Sequence, residues 1–149
     1  MNMKRISLVF LIVLTGVVSS FAQLREIPKE VREQFSRQYP MATDVDFNDN
    51  LLNVNIEFTL NNEKWTAEYN NKGVWKHSEK KWTFEQLPQE VKDGFSKSKY
   101  ADREVKAVII IYLPGDITQY RIKTEKSAVE KKYLYFNPQG RLLRESITI

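Results

Sequence analysis

Ile27-Pro28-Lys29-Glu30-Val31-Arg32-Glu33-Gln34-Phe35-Ser36-Arg37 returns sixty residues later as Leu87-Pro88-Gln89-Glu90-Val91-Lys92-Asp93-Gly94-Phe95-Ser96-Lys97. Proline, glutamate, valine, phenylalanine and serine match identically, and most other positions keep charge or apolar character. A second match follows further on. Tyr69-Asn70-Asn71-Lys72-Gly73-Val74-Trp75 aligns with Phe136-Asn137-Pro138-Gln139-Gly140-Arg141-Leu142, at an offset of 67. Matches in the same order at both ends of a unit point to duplication, with about seven extra residues in the second copy.

Each copy opens as a helix. Pro28 and Pro88 occupy a first-turn position, where the missing N–H has no partner to lose. Ile27, Val31 and Phe35 fall four apart, as do Leu87, Val91 and Phe95, giving one apolar stripe per helix. Glu30 and Glu90 lie near the positive helix start, and Gly94 is expected to weaken the second helix by about 1 kcal/mol relative to alanine. Strands follow. Leu52, Val54, Ile56, Phe58 and Leu60 alternate with polar residues, then Asn61-Asn62 turns the chain into the alternating Trp65 to Tyr69. Further turns fall at Asn71-Lys72-Gly73, Pro114-Gly115-Asp116, Lys126-Ser127 and Pro138-Gln139-Gly140. The expectation is an α+β protein of two tandem repeats, 23–81 and 82–149, each a helix packed on a four-stranded antiparallel sheet. One face of each sheet would stay open.

Ahead of the first helix, Lys4 and Arg5 precede an apolar run from Leu8 to Val18, and Ser20 and Ala22 suit a cleavage site. This is the layout of a signal peptide over residues 1–22, cleaved after Ala22 to give a mature start at Gln23. The run is about half the ~20 apolar residues of a membrane span, so none is expected after cleavage. The expected location is periplasmic or secreted. With no cysteine in the chain, a lipoprotein anchor and thiolate chemistry are excluded. Losing Lys4 and Arg5 leaves 21 basic residues against 19 acidic ones, mixed in sign along the chain. Nucleic-acid binding needs a concentrated basic stripe, and the sequence has none.

Catalytic and metal readings fare poorly. Asp44-Val45-Asp46-Phe47-Asn48-Asp49-Asn50 opens like a calcium loop. Its sixth position is Asp49 where a glycine turn is needed, and its twelfth is Asn55 where a bidentate glutamate belongs. A strand and an Asn/Asp turn account for it better. His77 is the single histidine, and no nucleophile motif accompanies it. No catalytic, metal or cofactor residue is assigned, and no enzyme is expected.

The unit [I/L]-P-x-x-V-x-x-x-F, a strand meander and [aromatic]-N-x-x-G-x-[W/L] resembles the bacterial PepSY-like family, related in fold to the beta-lactamase-inhibitor proteins. The resemblance rests on Pro28, Val31, Phe35, Gly73 and Trp75, and on Pro88, Val91, Phe95, Gly140 and Leu142. It implies a non-enzymatic binding or inhibitory module with a protein or peptide partner, not a particular target. Strand parity carried from the first copy to the second puts Val105, Ala107, Ile109, Ile111, Leu134 and Phe136 under the helix. The open face would then show Val108, Ile110, Tyr112, Tyr133 and Tyr135 as the partner-binding surface. The rival reading is a structural or envelope-assembly protein that uses this face as an oligomer interface.

Overall fold

The computed structural model describes residues 26–147. The expected leader and its cleavage site lie outside the described residues. Helix α1 (Lys29–Gln38) is followed by strands β1 (Thr43–Asp49), β2 (Asn53–Leu60), β3 (Glu63–Asn70) and β4 (Trp75–Trp82). Helix α2 (Gln89–Ser96) precedes β5 (Glu104–Leu113), β6 (Ile117–Ser127), β7 (Glu130–Phe136) and β8 (Leu142–Ile147). All eight strands form one antiparallel sheet in chain order.

That topology corrects the expected pair of four-stranded units. β4 and β5 pair through Ser78↔Tyr112, Glu79↔Ile111, Lys80↔Ile110, Lys81↔Ile109 and Trp82↔Val108, so the described residues form no second sheet. The described residues form a single, mostly β structure with two short helices, and not the expected two-repeat architecture. The physical reason is edge satisfaction. Two separate sheets would leave the N–H and C=O rows of β4 and β5 unpaired, whereas joining them removes two of four edges.

Both helices cover the same face of this sheet. One cross-strand row runs Phe58–Trp65–Lys80–Ile110–Tyr120–Phe136 from β2 to β7. At one end of that row, Val31 and Phe35 of α1 pack with Val54, Ile56, Phe58, Ala67 and Tyr69. At the other, Val91 and Phe95 of α2 pack with Val108, Ile110, Tyr120, Ile122, Leu134 and Phe136. Phe35 meets Phe58 edge-on, with ring centroids 5.0 Å apart. The stripes expected of the helices are therefore the ones buried.

The hairpin turns explain the N-x-x-G spacing. Asn70 Oδ1 accepts from the backbone N–H of Lys72 and of Val74, and Asn137 Oδ1 from that of Arg141, each at 2.9 Å. Gly73 and Gly140 then take φ near +77° and +76°. Each glycine sits against the first turn of a helix: a Cβ on Gly73 would lie 2.7 Å from the Glu30 carbonyl oxygen, and one on Gly140 would overlap that of Glu90. Gly94 owes its presence to the same contact, since its own Cβ would overlap the Gly140 carbonyl oxygen. The residue that weakens α2 locally is what lets the β7–β8 turn dock on it.

The register of β5 shifts between Val105 and Ala107, where Lys106 is the extra residue of a β-bulge. A bulge inverts the parity of everything after it. Val108 and Ile110 are buried beneath α2, at 3% and 6% exposure, and Tyr112 packs on the same side. Ile109 and Ile111 turn to the other face, the reverse of the parity carried over from the first copy. Leu134 and Phe136 lie under α2 as expected, which leaves Tyr133 and Tyr135 on the helix-free face.

Candidate functional site: the helix-free sheet face

The row beside the core row runs Lys81–Ile109–Arg121–Tyr135–Arg144 from β4 to β8. Its neighbours are Ala107–Lys123–Tyr133–Ser146 on one side and Glu79–Ile111–Gln119 on the other. The alternation Gln119-Tyr120-Arg121-Ile122-Lys123 on β6 puts Tyr120 and Ile122 in the core and the polar residues outward. Aromatic and cationic side chains thus meet across strands on a surface that neither α1 nor α2 covers.

Their contacts form a chain. Arg121 lies over the Tyr133 ring, its guanidinium carbon 5.4 Å from the centroid. Its Nη2 also donates to Glu79 Oε1 at 3.3 Å, and both side chains of that ion pair are about three-quarters buried. Arg144 stacks on the Tyr135 ring at 3.4 Å. Tyr135 is only 7% exposed as a result, although it faces away from both helices. Such stacking fixes the planar guanidinium groups while leaving N–H donors for an incoming carboxylate or carbonyl. Next to this chain, Glu57, Thr66, Glu79, Lys81 and Ile109, with Lys64 and the covered-row pair Trp65 and Lys80, border a shallow depression of about 430 Å³.

Charge is weighted across the face and not cleanly divided. Asp46, Glu57 and Glu68 lie on β1–β3 together with Lys64, whereas Lys81, Arg121, Lys123 and Arg144 lie on β4–β8 together with Glu79 and Glu125. His77 pairs in register with Glu68. Among the described residues no cluster of three or more histidine, aspartate or glutamate side chains could hold a metal ion. The sequence-derived set is split by the sheet. Tyr133 and Tyr135 stand together on the helix-free face; Val108, Ile110 and Tyr112 belong to the helix-covered side, for the reason the β5 bulge supplies. Tyr112 stacks on Trp65 at 5.4 Å there, and burial raises its phenol pKa above the ordinary tyrosine value. Sequence reasoning missed Ile109, Ile111, Arg121 and Arg144. The alternation of β6 could have placed Arg121. The isoleucines could not be placed without knowledge of the bulge.

Comparison with known proteins agrees with this architecture. Residues 43–144 match the family described as "Putative beta-lactamase-inhibitor-like, PepSY-like". No curated protein matches the chain. Among solved structures, the fold is similar to a BLIP-like protein from Bacteroides fragilis NCTC 9343, at 20% identity and TM-score 0.76, covering 85% of this chain and 89% of that one. It is similar also to a DUF2874 family protein from Bacteroides ovatus ATCC 8483, at 23% identity and TM-score 0.75, covering 83% and 89%. A third, described as one of the "putative periplasmic proteins" of Bacteroides eggerthii DSM 20697, shares 21% identity and TM-score 0.73, covering 83% and 90%. At these identities the structures establish a shared fold, and the family match spans most of the chain: the protein belongs to the PepSY-like, beta-lactamase-inhibitor-like family.

Proposed function

We propose that this protein is an exported, non-enzymatic binding module that holds a protein or peptide partner on the β4–β8 part of its helix-free face. The observation that carries the reading is the Arg121–Tyr133 and Arg144–Tyr135 pairing beside Ile109 and Ile111. Tyrosine and arginine dominate the energetically important positions of protein interfaces, and here they are prearranged before any partner arrives. Export is supported by the leader-like residues 1–22 and by the periplasmic description of a protein of the same fold. N-terminal sequencing of exported material should find Gln23 first; retention of Met1 on exported soluble protein would refute the leader.

The test of the binding reading is capture from the exported fraction with residues 23–149 as bait, in wild-type form and as the Arg121→Ala/Tyr133→Ala double variant. A partner retained by the first and lost by the second, with both folded by circular dichroism, supports the assignment. Equal retention moves the contact elsewhere. A second reading draws on the charge weighting: a mostly acidic β1–β3 surface and a mostly basic β4–β8 surface could meet their opposites in a second copy, making the face an oligomer interface. Light scattering separates the two, since that reading requires a dimer that the same double variant dissociates.

A further inference from the structure

On the opposite, helix-covered side, the two helices leave a gap between the end of α1 and the β5–β6 hairpin. A cavity of about 410 Å³ opens there, lined among others by Tyr39, Trp65, Trp75, Tyr112, Asp116 and Ile117. That volume lies in the usual range of small-ligand sites, about 300–1,000 Å³. Two of its walls are pinned to one buried hydroxyl. Ser78 Oγ accepts from Trp75 Nε1 at 2.8 Å and shares a hydrogen bond with the Tyr39 hydroxyl at 2.6 Å. Trp65 and Tyr112 stack on each other as a third wall. Asp116, at the exposed hairpin tip, is the single charged residue of the lining, and no lysine, arginine or histidine among the described residues joins it.

Four aromatic rings and one carboxylate, with no cationic residue in the lining, describe the chemistry of an aromatic cage. We propose that this cavity binds a compact organic cation: an alkylammonium group, either on a free amine or on a lysine side chain of a partner. The ring quadrupoles attract the positive charge while the rings cover its apolar substituents, and Asp116 supplies the countercharge at the mouth. Trp65 already accepts a cation on its ring: Lys80 Nζ sits 4.9 Å from the centroid. That ammonium does not line the cavity and is committed to Glu63 at 2.6 Å. Trp65 also borders the depression on the helix-free side, but Tyr39, Trp75, Tyr112 and Asp116 do not, so the cavity's test stands apart from the reading given there.

Two of the protein's three tryptophans line the cavity, whereas Trp82 donates to the Gln86 carbonyl outside it. The indole N–H resonances of the ¹⁵N-labelled protein therefore carry their own control. Titration with choline should shift the Trp65 and Trp75 signals saturably and leave Trp82 in place. The neutral isostere 3,3-dimethylbutan-1-ol should bind about fivefold or more weakly, the margin that ring–cation attraction supplies. Asp116→Asn, which keeps a residue tolerant of the observed φ of +56°, should weaken choline about threefold without changing the fold. N-acetyl-lysine methylamide, run in parallel, tells the two sources apart: the tighter of the two probes marks free amine or side chain. Equal binding of the neutral isostere, shifts at all three indoles alike, or no shift with either cation would overturn the proposal.

Discussion

The two faces of the sheet carry different information. On the covered face both ends of the molecule solve the same problem in the same way, with a valine and a phenylalanine from a short helix seated on alternating apolar strand residues. On the helix-free face the two ends diverge. β2 and β3 present Asn53, Asn55, Glu57, Thr66 and Glu68, while β5 to β8 present Ile109, Arg121, Tyr133 and Arg144, with Ile111 and Tyr135 on the same side but only 6% and 7% exposed. The covered face is constrained by burial at both ends, so its residue types converge. The free face is constrained only where something must touch it, and the aromatic and cationic residues gather at one end.

If the covered face is equivalent at its two ends, Phe35→Ala and Phe95→Ala should each destabilise by about 3–5 kcal/mol, the usual result of emptying a buried phenylalanine site. Urea unfolding checks this; a neutral result for either would break the equivalence. Gly94→Ala sharpens it. Helix propensity alone predicts a gain of about 1 kcal/mol, but the Gly140 carbonyl occupies the place of the new Cβ. The contact should dominate, with a loss of about 1–3 kcal/mol, as for other overpacked sites. Stabilisation instead would mean the β7–β8 turn moves aside freely.

A smaller effect separates the faces by pH. Tyr39, Tyr69, Tyr112 and Tyr120 belong to the covered side, and burial raises the pKa of each phenol above its ordinary value. A raised folded-state pKa means that the folded form holds its protons longer than the unfolded one. That part of the stability is complete below the unfolded pKa and is lost as pH rises through the folded values. The melting temperature should therefore fall above about pH 10, the ordinary phenol range. A flat profile would show these tyrosines to be solvated. Smallest of all, Asn55→Ala and Thr66→Ala on the polar part of the free face should each change stability by less than about 0.5 kcal/mol, by the same urea measurement. A larger loss from either would mark the polar part as structurally committed.

The helices and most hairpin turns were legible because their signals are local: the fourfold spacing of Val31 and Phe35, the Asn61-Asn62 turn with both φ values positive, the side-chain acceptor of Asn70. The joining of β4 to β5 was not legible. It links residues as far apart as Ser78 and Tyr112, and nothing in either strand distinguishes a central position from an edge. The β5 bulge hid for a different reason. Val108-Ile109-Ile110-Ile111-Tyr112-Leu113 is apolar throughout, so it has no alternation from which a face could be assigned. Three of the five expected site residues, Val108, Ile110 and Tyr112, were misplaced by that one residue. At the other end of the molecule, Leu52 joined the expected apolar alternation but is 79% exposed, because the strand begins only at Asn53. Alternation identifies a strand better than it identifies its first residue.

The central claim is that contact energy sits on the β4–β8 part of the helix-free face and not on its polar counterpart. Its most direct test is the affinity of the captured partner for two double variants, Arg121→Ala/Tyr133→Ala and Asn55→Ala/Thr66→Ala, measured beside wild type by calorimetry. The account predicts a loss of about 2 kcal/mol or more for the first, as for interface anchors, and a change below about 0.5 kcal/mol for the second. Equal losses, or a larger loss from the Asn55/Thr66 pair, would contradict it.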